Sequence, residues 1–159
     1  MRRASNPRAF AAVILLCLFA WADIRSAGAG HARAFSAGEP GDPKKPARIV
    51  IITIAEVDGK MMFTPAKVEV NEDEQIRFVL RNHGKLEHEF LLATSAENRQ
   101  HAEVMKNDLL SGDKRNAAKL SPKTIGEFVW KFTRPGQFEF ACPIPGHREK
   151  GLLGTVIVR

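Results

Sequence analysis

Cys142 and His147 share one short loop, Cys142-Pro143-Ile144-Pro145-Gly146-His147, with the imidazole five positions after the thiol. Strand-like runs, Phe138 to Ala141 and Thr155 to Val158, bracket the loop on either side. A second imidazole stands upstream in Asn82-His83-Gly84-Lys85-Leu86-Glu87-His88-Glu89-Phe90, where a loop enters an apolar strand. A thiolate and an imidazole on one stiff loop suit a soft or borderline ion, copper or zinc. One Cys with two His is the ligand set of electron-transfer copper sites, whose fourth group is weak or absent. Pro143 and Pro145 stiffen the loop, because each fixes φ and neither offers an N–H.

These residues need elements to hold them, and the sequence supplies mostly strands. Arg48 to Val57 is β-branched and apolar, and reads as a buried strand. Met61 to Val70 reads as a strand interrupted at Pro65. Gln75 to Arg81 alternates, with Ile76, Phe78 and Leu80 on one face. His88 to Ala93 follows the Asn82-Gly84 turn. Lys123 to Thr133 alternates again, with Ile125, Phe128, Trp130 and Phe132 as its apolar members. With Phe138 to Ala141 and the C-terminal run, about seven strands predict an all-β antiparallel Greek-key sandwich or barrel. The exception is a short helical insertion around 95–107, capped by Thr94 or Ser95 and ended by Ser111-Gly112-Asp113.

The N-terminus has a different character. Met1 to Arg8 is basic, Ala9 to Ala22 is apolar but short for a membrane span, and Ser26 to Gly30 offers small residues for cleavage. Residues 1–29 therefore read as a secretory signal peptide, 30–47 as a flexible Gly- and Pro-rich tether, and 48–159 as one domain. Export to the periplasm, with no membrane insertion after cleavage, is the expectation. Cys17 leaves with the leader, so Cys142 remains alone and no internal disulfide can form. A lone thiol in an oxidising compartment needs something to hold it, and a metal does so. Four arginines and one aspartate also leave, so the formal charge of +6 falls to +3. That residue of scattered charge gives no nucleic-acid footprint.

The pattern Asn-x-Gly-x-x-x-His-Glu-Phe, followed by Phe-Glu-Phe-x-Cys-x4-His-x4-Leu-x-Gly-Thr-Val, resembles the cupredoxin family. Within it, the chain is similar to small periplasmic copper proteins of the azurin and auracyanin type and to their copper-tolerance relatives. The resemblance covers roughly Arg48 to Arg159. It implies one type 1 copper site with His88, Cys142 and His147 as ligands, and a sulfur tuned by a nearby N–H such as that of Glu89. The family's axial Met is replaced by Leu152, which cannot coordinate. The site is then three-coordinate or closed weakly by the Lys85 or Leu86 carbonyl, with Met105 or Met62 as alternative donors and a raised potential as the consequence.

Other polar side chains have plainer readings. His83 is expected in an exposed turn, and Glu87, Glu89 and Glu103 in solvent. His101 and Met105, four apart on the helical insertion, are the candidates for an accessory copper site.

Two functions fit these residues. The first is a monomeric single-electron carrier between periplasmic redox partners, a cytochrome or an oxidase or reductase. His147 would be its electron exit, framed by Pro143, Ile144, Pro145, Leu152 and Leu153. The alternative is copper binding for tolerance, buffering or delivery, with copper-handling proteins as partners. No enzyme activity is expected. The His-x-His pairs of a trinuclear copper cluster are absent from the sequence, and the Cys-Pro-x-Pro-Gly-His context argues against hydrolytic zinc.

Overall fold

A computed structural model describes residues 35–106 and 114–159. The expected signal peptide, residues 30–34 of the expected tether and the stop signal at 111–113 lie outside the described residues. Among the described residues, no helix is long and apolar enough to cross a membrane.

Two five-stranded sheets face each other. The first contains β1 (Glu39–Pro40), β8 (Ile125–Lys131), β5 (Gln75–Asn82), β2 (Arg48–Val57) and β3 (Lys60–Thr64), in that spatial order. The second runs β4 (Lys67–Val70), β10 (Leu153–Val158), β9 (Gly136–Ala141), β6 (His88–Ala93) and β7 (Ala117–Leu120). One helix, α1 (Ser95–Lys106), packs over β6 and β9.

The expected sandwich is present, but its pairing is mixed rather than purely antiparallel. β2 runs parallel to β5, and β4 runs parallel to β10. The strand expected to break at Pro65 does more than break. Its two halves, β3 and β4, sit on the edges of different sheets and so tie the layers together. The β2 reading also needs correction. Ile52 and Ile54 are fully buried, whereas Ile49 and Ile51 are 61% and 43% exposed. Pleating sends alternate residues to opposite faces, and the outer face of this sheet meets solvent. Ile125 is likewise outside.

The tether expected over 30–47 is docked from Phe35 onward. Phe35 meets the Trp130 ring edge-on at 5.3 Å, and Ala37 is fully buried. The buried Trp130 indole N–H donates to the Ala37 carbonyl at 3.1 Å, a partner the ring requires once it leaves water. Glu39 and Pro40 then pair with β8.

The core between the sheets centres on Phe90. Its ring stacks on Phe140 at 5.2 Å and approaches Phe63, Phe78 and Phe128 at 5.9, 5.4 and 5.4 Å. Truncating such a ring to alanine costs about 3–5 kcal/mol. β6 is buried along its whole length because β7 and β9 flank it within the sheet and α1 packs against it. This explains why its sequence shows an apolar run instead of clean alternation.

Candidate metal centre

His88 is the first residue of β6, and Cys142 follows the last residue of β9. The two strands pair directly, Leu91 opposite Ala141 and Leu92 opposite Phe140. That register brings the start of one strand to the end of the other, across a gap of 54 positions in sequence. The loop between β9 and β10 then folds back on itself. The Cys142 N–H donates to the Leu152 carbonyl at 3.1 Å, the Leu152 N–H to the His147 carbonyl at 3.1 Å, and the His147 N–H to the Ile144 carbonyl at 3.0 Å. Gly146 takes φ of 82°, a conformation that a side chain before His147 would strain.

The three side chains expected from the sequence meet. Their potential ligand atoms all lie within 4.8 Å of one another, and all three residues are buried. His88 Nδ1 is 3.2 Å from His147 Nδ1, and Cys142 Sγ is 3.4 Å from His147 Nδ1. Among the described residues no other group of His, Cys, Asp or Glu side chains is arranged to hold a metal. One sulfur and two imidazole nitrogens at this spacing fit a copper ion. The cluster is consistent with a single type 1 copper site.

Burial acts on both side chains of the loop, in opposite senses for metal binding. Burial pushes the Cys142 thiol up to about 11, against the N–H groups of Glu89 and Ile144, which favour the thiolate. The Glu89 N–H lies 3.3 Å from Sγ, where the sequence reading expected a sulfur-directed donor. Burial likewise lowers His147 below its ordinary value, with His88 and Lys150 adding to the effect. A neutral imidazole is the form that binds metal.

Several expectations change at this site. Leu152 is fully buried in the core with Cys142. The Leu86 carbonyl already accepts a hydrogen bond from Asn82 Nδ2 at 2.8 Å. Met62 is 38% exposed while Met61 is buried, because alternation along β3 turns Met62 outward. Pro143 is buried and does not join the surface around His147. Leu86, which the sequence reading left out of that surface, is 43% exposed, and Pro145 and Leu153 are exposed as well. Glu89 is buried at 6% exposure instead of solvated. His101 and Met105 lie on α1 outside the three-residue cluster. His101 Nε2 is enclosed and has no hydrogen-bond partner.

Two carboxylates that hold His88 or the neighbour of His147 escaped the sequence reading. Glu56, near the end of β2, lies with Oε1 3.0 Å from His88 Nε2. It also accepts the main-chain N–H groups of Lys85 and Leu86, each at 3.0 Å. Burial pushes the Glu56 carboxyl up, but those N–H groups and His88 more than offset it and hold the carboxyl below its usual range. Glu139, on β9, accepts hydrogen bonds from both terminal guanidinium nitrogens of Arg148, the residue after His147. Ser95 Oγ donates to the same carboxylate, and Asn98 Nδ2 to the Glu139 carbonyl, so α1 is bolted to the ligand loop. No local motif marks either glutamate, since each becomes special only through a partner distant in sequence.

The sequence profile of the copper binding proteins of the plastocyanin/azurin family matches residues 50–159. The chain belongs to that family. It is 41% identical over 160 residues to the copper-resistant cuproprotein CopI of Rubrivivax gelatinosus, covering 91% of this chain and 94% of that protein. It is 30% identical over 163 residues to the protein of the same name from Pseudomonas aeruginosa PAO1, covering 84% and 87%. Among solved structures, auracyanin B matches with a TM-score of 0.64 at 21% identity, over 77% of this chain and 96% of that one. At that identity the likeness speaks for the shared cupredoxin sandwich.

Proposed function

We propose that this cupredoxin-like protein is exported to the periplasm and binds one copper ion through His88, Cys142 and His147 in the service of copper tolerance. The observation that carries the proposal is the buried Cys and two His cluster, in a chain 41% identical to a protein named for copper resistance. When bound, copper at such a site cycles between its two oxidation states with little rearrangement. The chain's own residues do the rest. Cys142 gives up its proton to become a thiolate, and the Glu89 and Ile144 N–H groups stabilise that charge. His88 and His147 present their Nδ1 atoms to the cluster, and burial favours the neutral form of His147. Leu152, whose carbonyl accepts the Cys142 N–H, would offer a bound copper no side-chain donor, which would disfavour Cu(II) relative to Cu(I).

Electron transfer is the second reading, and one feature favours it. His88 and Cys142 are fully enclosed, whereas His147 keeps 9% exposure, on a loop whose Pro145 is exposed. A ligand that alone reaches the surface suits brief redox contacts.

The experiment is a copper challenge of a strain lacking this protein, complemented with the wild type or with Cys142→Ala. Tolerance restored by the wild type alone supports the proposal. Tolerance restored equally by the variant overturns it. Normal tolerance in the deleted strain, together with a slowed respiratory electron flow, would move the assignment to the electron carrier.

A further inference from the structure

The carboxylate of Glu56 occupies a fitted seat beside the metal cluster. Three donors converge on it: the main-chain N–H groups of Lys85 and Leu86, and His88 Nε2. Gly84 leaves the space open, since a Cβ there would stand 2.1 Å from Glu56 Oε1. Asn82 fixes the same loop from the other side. Its Oδ1 accepts the Gly84 N–H at 2.9 Å, and its Nδ2 donates to the Leu86 and Ser121 carbonyls at 2.8 and 3.0 Å. An ionised carboxylate only accepts hydrogen bonds. His88 must therefore carry its proton on Nε2, which leaves the Nδ1 lone pair facing Cys142 and His147.

We propose that Glu56 is a positioning residue for copper: its seated carboxylate sets the tautomer and ring orientation of His88 and makes that imidazole a stronger donor. This rests on the copper-site reading above. A carboxylate on the far nitrogen of a metal-binding imidazole raises its basicity. A more basic ligand favours Cu(II), so the clamp opposes the effect of losing the axial donor at Leu152.

Two variants and one control test the proposal. Glu56→Gln keeps the shape and removes the charge. Gly84→Ala keeps the charge but drives the carboxylate off its seat, toward solvent that the 22% exposed side chain can already reach. Glu87→Gln removes an exposed charge next to His88 without touching its ring. The Cu(II)/Cu(I) affinity ratio of Glu56→Gln and Gly84→Ala should fall about tenfold, a rise in potential of about 59 mV for one electron, with a changed copper EPR signature. Glu87→Gln should move the ratio far less. In metal-free protein, nitrogen NMR should find His88 as the Nε2–H tautomer in the wild type and as a mixture in the two variants. Unchanged potential, EPR and tautomer in both variants would overturn the role of Glu56. The two readings fail separately: a wild type that takes up no copper removes the site assignment, while the metal-free tautomer still decides what Glu56 does to His88.

Discussion

The main-chain N–H of Glu89 points at Cys142 Sγ across 3.3 Å, although the residues are 53 positions apart. Glu89 is the neighbour of His88, so the start of β6 delivers an imidazole and a sulfur-directed donor together. Pairing of β6 with β9 makes this obligatory, because a slip of one residue would turn His88 away from the thiol. The ligand set is thus a property of strand register, and its chemistry should respond to changes that leave the ligands themselves intact.

Copper uptake should release about one proton at neutral pH. Burial holds the Cys142 thiol near 11, so it is protonated in the free protein, while His147 is already neutral. The metal binds the deprotonated sulfur. Affinity therefore rises with pH, by about tenfold per unit through the neutral and mildly alkaline range, and levels off as pH passes the thiol's own value. Competition against a chelator of known affinity at several pH values measures the slope. A flat profile would mean that Cys142 is ionised without metal or is not a ligand.

Leu152→Met should restore a thioether next to the site at little structural cost. The swap conserves volume in a fully buried position and costs less than about 1.5 kcal/mol. The added donor favours Cu(II), so the potential should drop, on the order of 59 mV for each tenfold gain in Cu(II) preference. Voltammetry of the variant beside the wild type checks the direction. An unchanged or higher potential would show that the space at Leu152 does not face the metal.

Arg148→Ala should destabilise the protein through Glu139. The two side chains are only 18% and 11% exposed, and truncation would strand a carboxylate that α1 also grips. A loss of about 3 kcal/mol is expected, at the low end for a buried pair because some solvent reaches it. In Arg148→Ala with Glu139→Gln the loss should be smaller than in Arg148→Ala alone. Chemical denaturation of the wild type, Arg148→Ala, Glu139→Gln and the double variant measures it, and strict additivity of the two single losses would exclude coupling between the pair.

The cluster of His88, Cys142 and His147 was legible in the sequence because a Cys and a His five apart in a Pro-Gly loop leave few chemical alternatives. The alternation of β5 and the break at Pro65 were equally plain, since pleating and the missing proline N–H act locally. What stayed hidden depends on distant partners. Phe35 and Ala37 look like linker until Trp130 needs an acceptor for its indole N–H. β7 is short and rich in Ala and Lys, and becomes a strand only because β6 offers an edge. The parallel pairings of β2 with β5 and β4 with β10 leave no mark on either strand's own pattern. Glu56 and Glu139 carry no local signature until the fold sets them beside His88 and Arg148. The order of the two functional readings changed for a similar reason: residues at a copper site define the ligand chemistry, while the relatives named for copper resistance bear on its use.

The most direct test of the copper assignment is a Cu(II) titration of the metal-free protein, followed by absorption and EPR, beside Cys142→Ala. The site described here predicts saturation at one copper per chain, an intense visible thiolate-to-copper charge-transfer band, and complete loss of that band in the variant. Copper bound without such a band in the wild type, or a band that survives in Cys142→Ala, would contradict it.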